Sequence, residues 1–177
     1  MAVAGTSGSG KSTLARRLAE LLGAPYVELD ALHHGPGWRQ RETFVADVDA
    51  FTAGPTWVTE WQYETVRDLV ADRADLLVFL LYRRSVVMRR VAGRTVVRRL
   101  RRTELWNGNR EGPLRTFFTD PEHIVRWAWR THPRTAARHA ELAGADAVVV
   151  GLRTPRELEA WLAGPLTEAL RRGRRHP

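Results

Sequence analysis

The chain has 177 residues, of which 44% are apolar and 27% charged, and carries a formal net charge of +8. That length supports one domain with its own core, and the absence of cysteine excludes disulfide scaffolds, thiolate metal sites and cysteine nucleophiles. The longest apolar run, residues 76 to 82, is strand-sized rather than membrane-spanning, and no basic-then-apolar leader opens the chain, so a cytoplasmic protein without membrane contact is expected.

In chain order, a short apolar run before Gly5 reads as a first strand. The glycine-rich turn that follows leads into a helix with Leu14, Leu18, Leu21 and Leu22 on one face and Gly23 as its stop. Tyr26 to Asp30 reads as a second strand and His33 to Gly37 as a loop. Residues 39 to 53 read as a helix, with Phe44, Val45, Val48 and Phe51 as its buried stripe. Thr56 to Glu60 is the third strand and residues 62 to 74 the next helix. Asp75 to Tyr82 is the clearest strand, apolar on both faces as a central parallel strand is. An Arg-rich helix over 84 to 102 comes next, then a loop or lid over roughly 95 to 120. Asp120 and Pro121 mark a helix start, and Pro133 is expected to break or kink that helix. Asp146 to Val150 is the last strand. Thr154 and Glu157 form a capping box before a final helix with Leu158, Trp161 and Leu162. Five short strands alternating with helices predict an α/β fold: one parallel five-stranded sheet covered by helices on both faces, within a single domain spanning 1–177.

Of the 28 lysines and arginines only Lys11 is lysine. It stands in Gly5, Thr6, Ser7, Gly8, Ser9, Gly10, Lys11, Ser12, which matches G-x-x-x-x-G-K-[ST] at every fixed position and lies between a strand and a helix. Glycines at 8 and 10 let the backbone curl so that amides point inward, and those donors plus the helix N-terminus cradle a phosphate. In this reading residues Gly5 through Thr13 bind ATP, Lys11 sets a charge on the β/γ oxygens, and the Ser12 hydroxyl ligates Mg²⁺.

Together with Gly5–Thr13, the blocks Glu28–His33, Gly35–Trp38, Trp57–Glu60 and Gly108–Glu111 resemble the small adenylate-kinase-related P-loop proteins often labelled topology-modulation proteins. The resemblance implies the fold of nucleoside-monophosphate and shikimate kinases with a mobile lid. Many members carry Asp-Gly-Asn after the third strand; here Glu60, Trp61 and Gln62 stand there, which retains the acid and loses the flexible glycine.

Ligands of a parallel sheet sit at the carboxyl ends of its strands. Glu28 and Asp30, two apart on the second strand, share a face there. Similar kinases use one such acid to hold Mg²⁺ and another to orient the acceptor, and Asp30 is assigned the acceptor and base role, with Glu28 as a Mg²⁺ residue. Glu60, ending the third strand, holds the Mg²⁺ shell. His33 and His34 line the acceptor pocket as neutral imidazoles rather than metal ligands. Eleven arginines lie between Arg83 and Arg115. Arg90 and Arg94, spaced i, i+4, are chosen to act on the transferring group, with Arg99 and Arg110 in reserve. Arg126 and Arg130 repeat that spacing, and Arg67 is placed as a clamp on an acidic acceptor. The expected function is a Mg-ATP-dependent kinase acting on a nucleoside monophosphate or another small acceptor. The alternative is an ATP-dependent regulator or nucleic-acid-associated protein, in which residues 97–102 and 171–175 grip phosphates while Trp106, Trp127 and Trp129 stack on bases.

Overall fold

The computed structural model describes residues 1–101, 104–109, 124–142, 144 and 147–173. The sheet is five-stranded and parallel: β1 (Ala2–Gly5), β2 (Tyr26–Val27), β3 (Val58–Glu60), β4 (Leu76–Leu80) and β5 (Val148–Leu152), in the order β2-β3-β1-β4-β5. Each pairing is parallel, with Val3 opposite Glu60 and Val78, and Val78 opposite Val150. Parallel strands need crossovers, which are α1 (Lys11–Leu22), α2 (Leu29–His33), α3 (Phe44–Thr52), α4 (Glu64–Asp72), α5 (Arg84–Leu100) and α6 (Ile124–Glu141). After β5 come α7 (Pro155–Trp161), a π-helical stretch Leu162–Leu166, and α8 (Thr167–Gly173).

Two cores flank the sheet because successive strand side chains point to opposite faces. Val3, Val78 and Leu80 pack with Leu14 and Leu18 of α1, Val87 of α5 and Leu162. Ala2, Ala4, Leu77 and Phe79 pack on the other face with Phe44, Val48, Trp57 and Val66. Most of these side chains are fully buried, each worth about 1.5–3 kcal/mol when removed from water.

Several predicted elements shift. The second strand stops at Val27, so Glu28 and Asp30 do not share a strand face. Glu28 is the N-cap of α2 and Asp30 lies in its first turn. The reason is Leu29, whose side chain is fully buried and whose amide donates to Glu60 Oε2, drawing the chain into a helical turn. The stripe of α1 is Leu14, Ala15, Leu18 and Ala19, leaving Leu21 exposed. The third helix begins only at Phe44, because residues 39 to 41 fold back on the preceding loop: the Gly35 amide donates to Arg39 O, and the Arg41 amide to His33 O. Val45 is consequently on the exposed face. Pro133 does not break α6. The helix runs on through it, and Pro133 and Trp129, whose carbonyl loses its helical donor, are both exposed. Gly23 caps α1 at φ 63°, and Thr154 accepts from the Glu157 amide, as the capping box requires. The Asp120–Pro121 helix start, Asp146, and residues 110–120 of the expected lid lie outside the described residues.

Candidate functional site

The carboxyl rim of the sheet carries the site. The Gly5–Ser12 loop leaves β1 and closes on itself through the Ser9 amide to Thr6 O at 3.0 Å. Gly8 and Gly10 have φ of 85° and 101°, values that disfavour any residue with a Cβ. At Gly8 the space is also taken: a Cβ there would meet Val91 Cβ at 2.8 Å and Val87 O at 3.1 Å. The loop is thus pressed against α5. Gly10 caps α1 without a side-chain acceptor, so the first-turn amides are left for an anion, and the helix dipole favours one.

Cations converge on this loop. Arg90 Nη1 donates to Ser9 O at 3.1 Å, and its guanidinium lies over the Tyr82 ring. Burial holds the Lys11 ammonium below its ordinary range, the carboxylates of Asp30 and Glu60 oppose that fall, and Arg94 adds to it. The Lys11 ammonium is therefore within electrostatic reach of Asp30, Glu60 and Arg94. Arg90 thus touches the loop and Arg94 acts on Lys11, while Ser12 is part-buried and Thr13 exposed. The Thr6 hydroxyl lies 3.1 Å from that of Thr135 on α6, a contact no motif announced.

Glu60 is 1% exposed. Its Oε1 accepts from the Tyr26 hydroxyl at 2.5 Å and its Oε2 from the Leu29 amide at 3.3 Å. Burial, then this hydrogen bond, raise the Tyr26 phenol far above its usual range, so it stays a donor. Glu28 turns elsewhere, pairing with Arg16 Nη2 at 3.2 Å on α1. It belongs to the Tyr26 side of Glu60 rather than to the group around Lys11.

Asp30 faces the loop from α2. Its Oδ1 accepts from Gln62 Nε2 at 2.7 Å and from the Tyr63 hydroxyl at 2.5 Å, while Oδ2 has no partner among the described residues. Tyr63 stacks on His33 with ring centroids 4.0 Å apart, and its oxygen lies 3.1 Å from His34 Nε2. The single Tyr63 proton goes to Asp30, which makes His34 Nε2 the donor to Tyr63 and His34 Nδ1 the acceptor from His33 Nδ1, 3.4 Å away. Burial lowers both imidazoles, the proximity of His34 lowers His33 further, and Asp30 opposes the fall in each. Burial and Asp30 push the Tyr63 phenol far up. Gln62 ends the stretch where the resemblance places Asp-Gly-Asn and Tyr63 follows it; neither was given a role from the sequence. Their position at the rim end of a strand was the available signal.

A second loop closes the far side. Asn109, 5% exposed, donates from Nδ2 to Gly35 O at 2.9 Å and to Trp106 O at 2.8 Å, and its Oδ1 accepts from the Trp38 amide. Asn107 Nδ2 donates to His34 O. The Gly35–Trp38 and Gly108–Glu111 blocks, far apart in sequence, thus meet at Asn109; Arg110 and Glu111 lie outside the described residues.

Other predicted residues are placed apart. Arg67 lies over the Trp61 ring, with its Nε buried and without a hydrogen-bond partner among the described residues. Burial, then the Arg67 charge, hold the Arg138 guanidinium of α6 below its ordinary range. Trp127 and Trp129 are surface residues, each with one face covered by a guanidinium of this chain, Arg130 and Arg84 respectively. Among the described residues no group of three His, Asp or Glu is arranged to hold a metal, and no helix is long and apolar enough to cross a membrane.

No family model matches the chain. A gluconokinase from Sinorhizobium meliloti 1021 superposes with a TM-score of 0.50 at 24% identity, covering 96% of this chain and 94% of that one. A sugar kinase from Janibacter sp. HTCC2649 gives a TM-score of 0.47 at 18% identity, over 92% of this chain and 91% of that one. A 49-residue stretch, 28% of this chain, is 41% identical to part of a bifunctional pantoate ligase/cytidylate kinase from Gloeobacter violaceus and spans 10% of that protein. The chain therefore shares the fold of that gluconokinase: a five-stranded parallel sheet with helices on both faces and a glycine-rich loop after the first strand.

Proposed function

We propose that the protein is a Mg-ATP-dependent small-molecule kinase, working in the cytoplasm, with the segment around 95–120 as its lid. The observation that carries this reading is the placement of Asp30. Its carboxylate is fixed through one oxygen by Gln62 and Tyr63, leaves the other open, and acts electrostatically on Lys11 beside the phosphate loop.

The residues divide the work. The amides of Gly8 to Ser12 and the α1 N-terminus hold the phosphates, and Lys11 sets its ammonium against them. Arg90 buttresses the loop at Ser9, and Arg94 adds positive charge where the transferring group must sit. Asp30 Oδ2 takes the proton of the acceptor hydroxyl as that oxygen bonds the γ-phosphorus, and the bridging oxygen leaves with ADP. A magnesium ion would neutralise charge on the phosphate oxygens. Mg²⁺ keeps several waters and needs few protein oxygens, so the Ser12 hydroxyl and the water shell reached by Glu60 suit it, since both Glu60 oxygens already accept a protein donor. Glu28, committed to Arg16, does not fit that role.

The test uses purified protein, Mg-ATP and a panel of hydroxylated acceptors. Lys11→Ala is expected to abolish Mg-ATP binding. Asp30→Ala is expected to keep Mg-ATP affinity within about threefold while lowering transfer by 10² or more. Binding of Mg-ATP with no acceptor ever accelerating ADP release would refute the kinase reading. Unchanged transfer in Asp30→Ala would remove Asp30 from the mechanism.

A further inference from the structure

Three non-glycine residues have left-handed backbones: Trp38 at φ 61°, Tyr63 at 62° and Asn107 at 55°. Such conformations cost about 1–3 kcal/mol each and persist where the surrounding structure enforces them. All three belong to one cluster. Tyr63 donates to Asp30, Trp38 packs edge-on against His34 with centroids 5.1 Å apart, and Asn107 donates to His34 O. Trp106, adjacent to Asn107, stacks on His34 at 6.0 Å and meets Trp38 edge-on at 6.4 Å. An aromatic wall therefore begins two hydrogen-bond links from the Asp30 carboxylate, through Tyr63 to His34. Trp38 remains 42% exposed, so its ring is not consumed by packing.

Charge is divided unevenly across the site. Lys11, Arg90 and Arg94 are gathered at the phosphate loop. On the Asp30 side the flanking groups are a phenol, an amide and two imidazoles kept neutral by burial. Arg41 is paired with Asp47 at 3.1 Å, Arg67 points to Trp61, and Arg39 is exposed next to Trp38. A phosphate or carboxylate on an acceptor held there would face the Asp30 carboxylate.

Building on the kinase reading, we propose that the acceptor is an uncharged, hydroxyl-bearing ring that lays one face on the exposed Trp38 ring and offers a hydroxyl to Oδ2 of Asp30. Aromatic side chains bind such rings through the flat apolar face, and a carboxylate with one open oxygen takes a single hydroxyl. This selects the neutral ring over the nucleoside monophosphate as the class of acceptor.

The experiment measures ADP release at fixed Mg-ATP with four matched sets: pyranoses, nucleosides, the phosphomonoesters of each, and open-chain polyols. Neutral rings are expected to exceed their own phosphomonoesters by about tenfold or more in kcat/KM, because a phosphate would set like charge against the Asp30 carboxylate. The pyranose and nucleoside sets identify which ring is used. Trp38→Ala is expected to raise KM for the best acceptor roughly five- to fiftyfold with kcat held within about twofold, the loss expected for a stacked ring. Trp38→Phe retains a ring and is expected to recover most of that loss. A phosphorylated or open-chain acceptor that wins, or a folded Trp38→Ala with unchanged KM, overturns the inference and leaves the kinase reading standing. Binding of Mg-ATP without stimulation by any set overturns both.

Discussion

Replacing Tyr63 by phenylalanine isolates one hydrogen bond at the proposed base. The ring keeps its stack on His33 at 4.0 Å and its edge contact with Phe44 at 5.2 Å, so the local packing survives. What is lost is one of two donors to Asp30 Oδ1 and the acceptor of His34 Nε2. A hydrogen bond to a charged group is worth about 1.5–3 kcal/mol. Gln62 still holds the same oxygen at 2.7 Å and the site is part-buried, so the lower end applies, about 1.5 kcal/mol or about tenfold in rate. Steady-state transfer should therefore show kcat down about tenfold, with Mg-ADP affinity by calorimetry unchanged. Gln62→Leu should do the same. Because both donors act on one oxygen, the double variant should deviate from the product of the single effects by more than about 0.5 kcal/mol. A double variant that is folded, binds Mg-ADP and transfers at the parental rate would refute the assignment of Gln62 and Tyr63 as positioning residues.

Two further outcomes follow from the geometry. Gly8→Ala combines a backbone φ of 85° with a Cβ held 2.8 Å from Val91 Cβ, so it should cost about 2–4 kcal/mol in denaturant unfolding and displace the loop enough to weaken Mg-ATP. Folding lowers the His33 and His34 imidazoles below 6.5, so the unfolded chain binds more protons and stability falls as pH drops from about 7 through that range. Melting temperatures taken between pH 7 and pH 5 should show this slope, and the His33→Gln/His34→Gln double variant should flatten it.

The phosphate loop was legible because its chemistry depends on backbone shape, which glycine writes locally into the sequence at Gly8 and Gly10. The strands were legible from their apolar runs, and Leu77 and Phe79 alternate with Val78 and Leu80 between the two cores as period-two patterning requires. Asp30 was found by its place after the second strand, yet for a strand face that the structure replaces with a helical turn. Gln62, Tyr63 and Thr135 were not legible, because their roles arise from contacts 32, 33 and 129 residues distant along the chain. Arg67 was chosen from its place on the helix after the third strand, which does not reveal the neighbour its guanidinium covers, the Trp61 ring.

The Asn109 side chain has a mechanical consequence. With both ends of its amide bonded across to Gly35 and Trp38, and Asn107 bonded to His34, the stretch trailing α5 is stitched to the turn that carries the aromatic wall. A displacement of that stretch must carry Trp38 with it or rupture four hydrogen bonds, to Ala31, His34, Gly35 and Trp38.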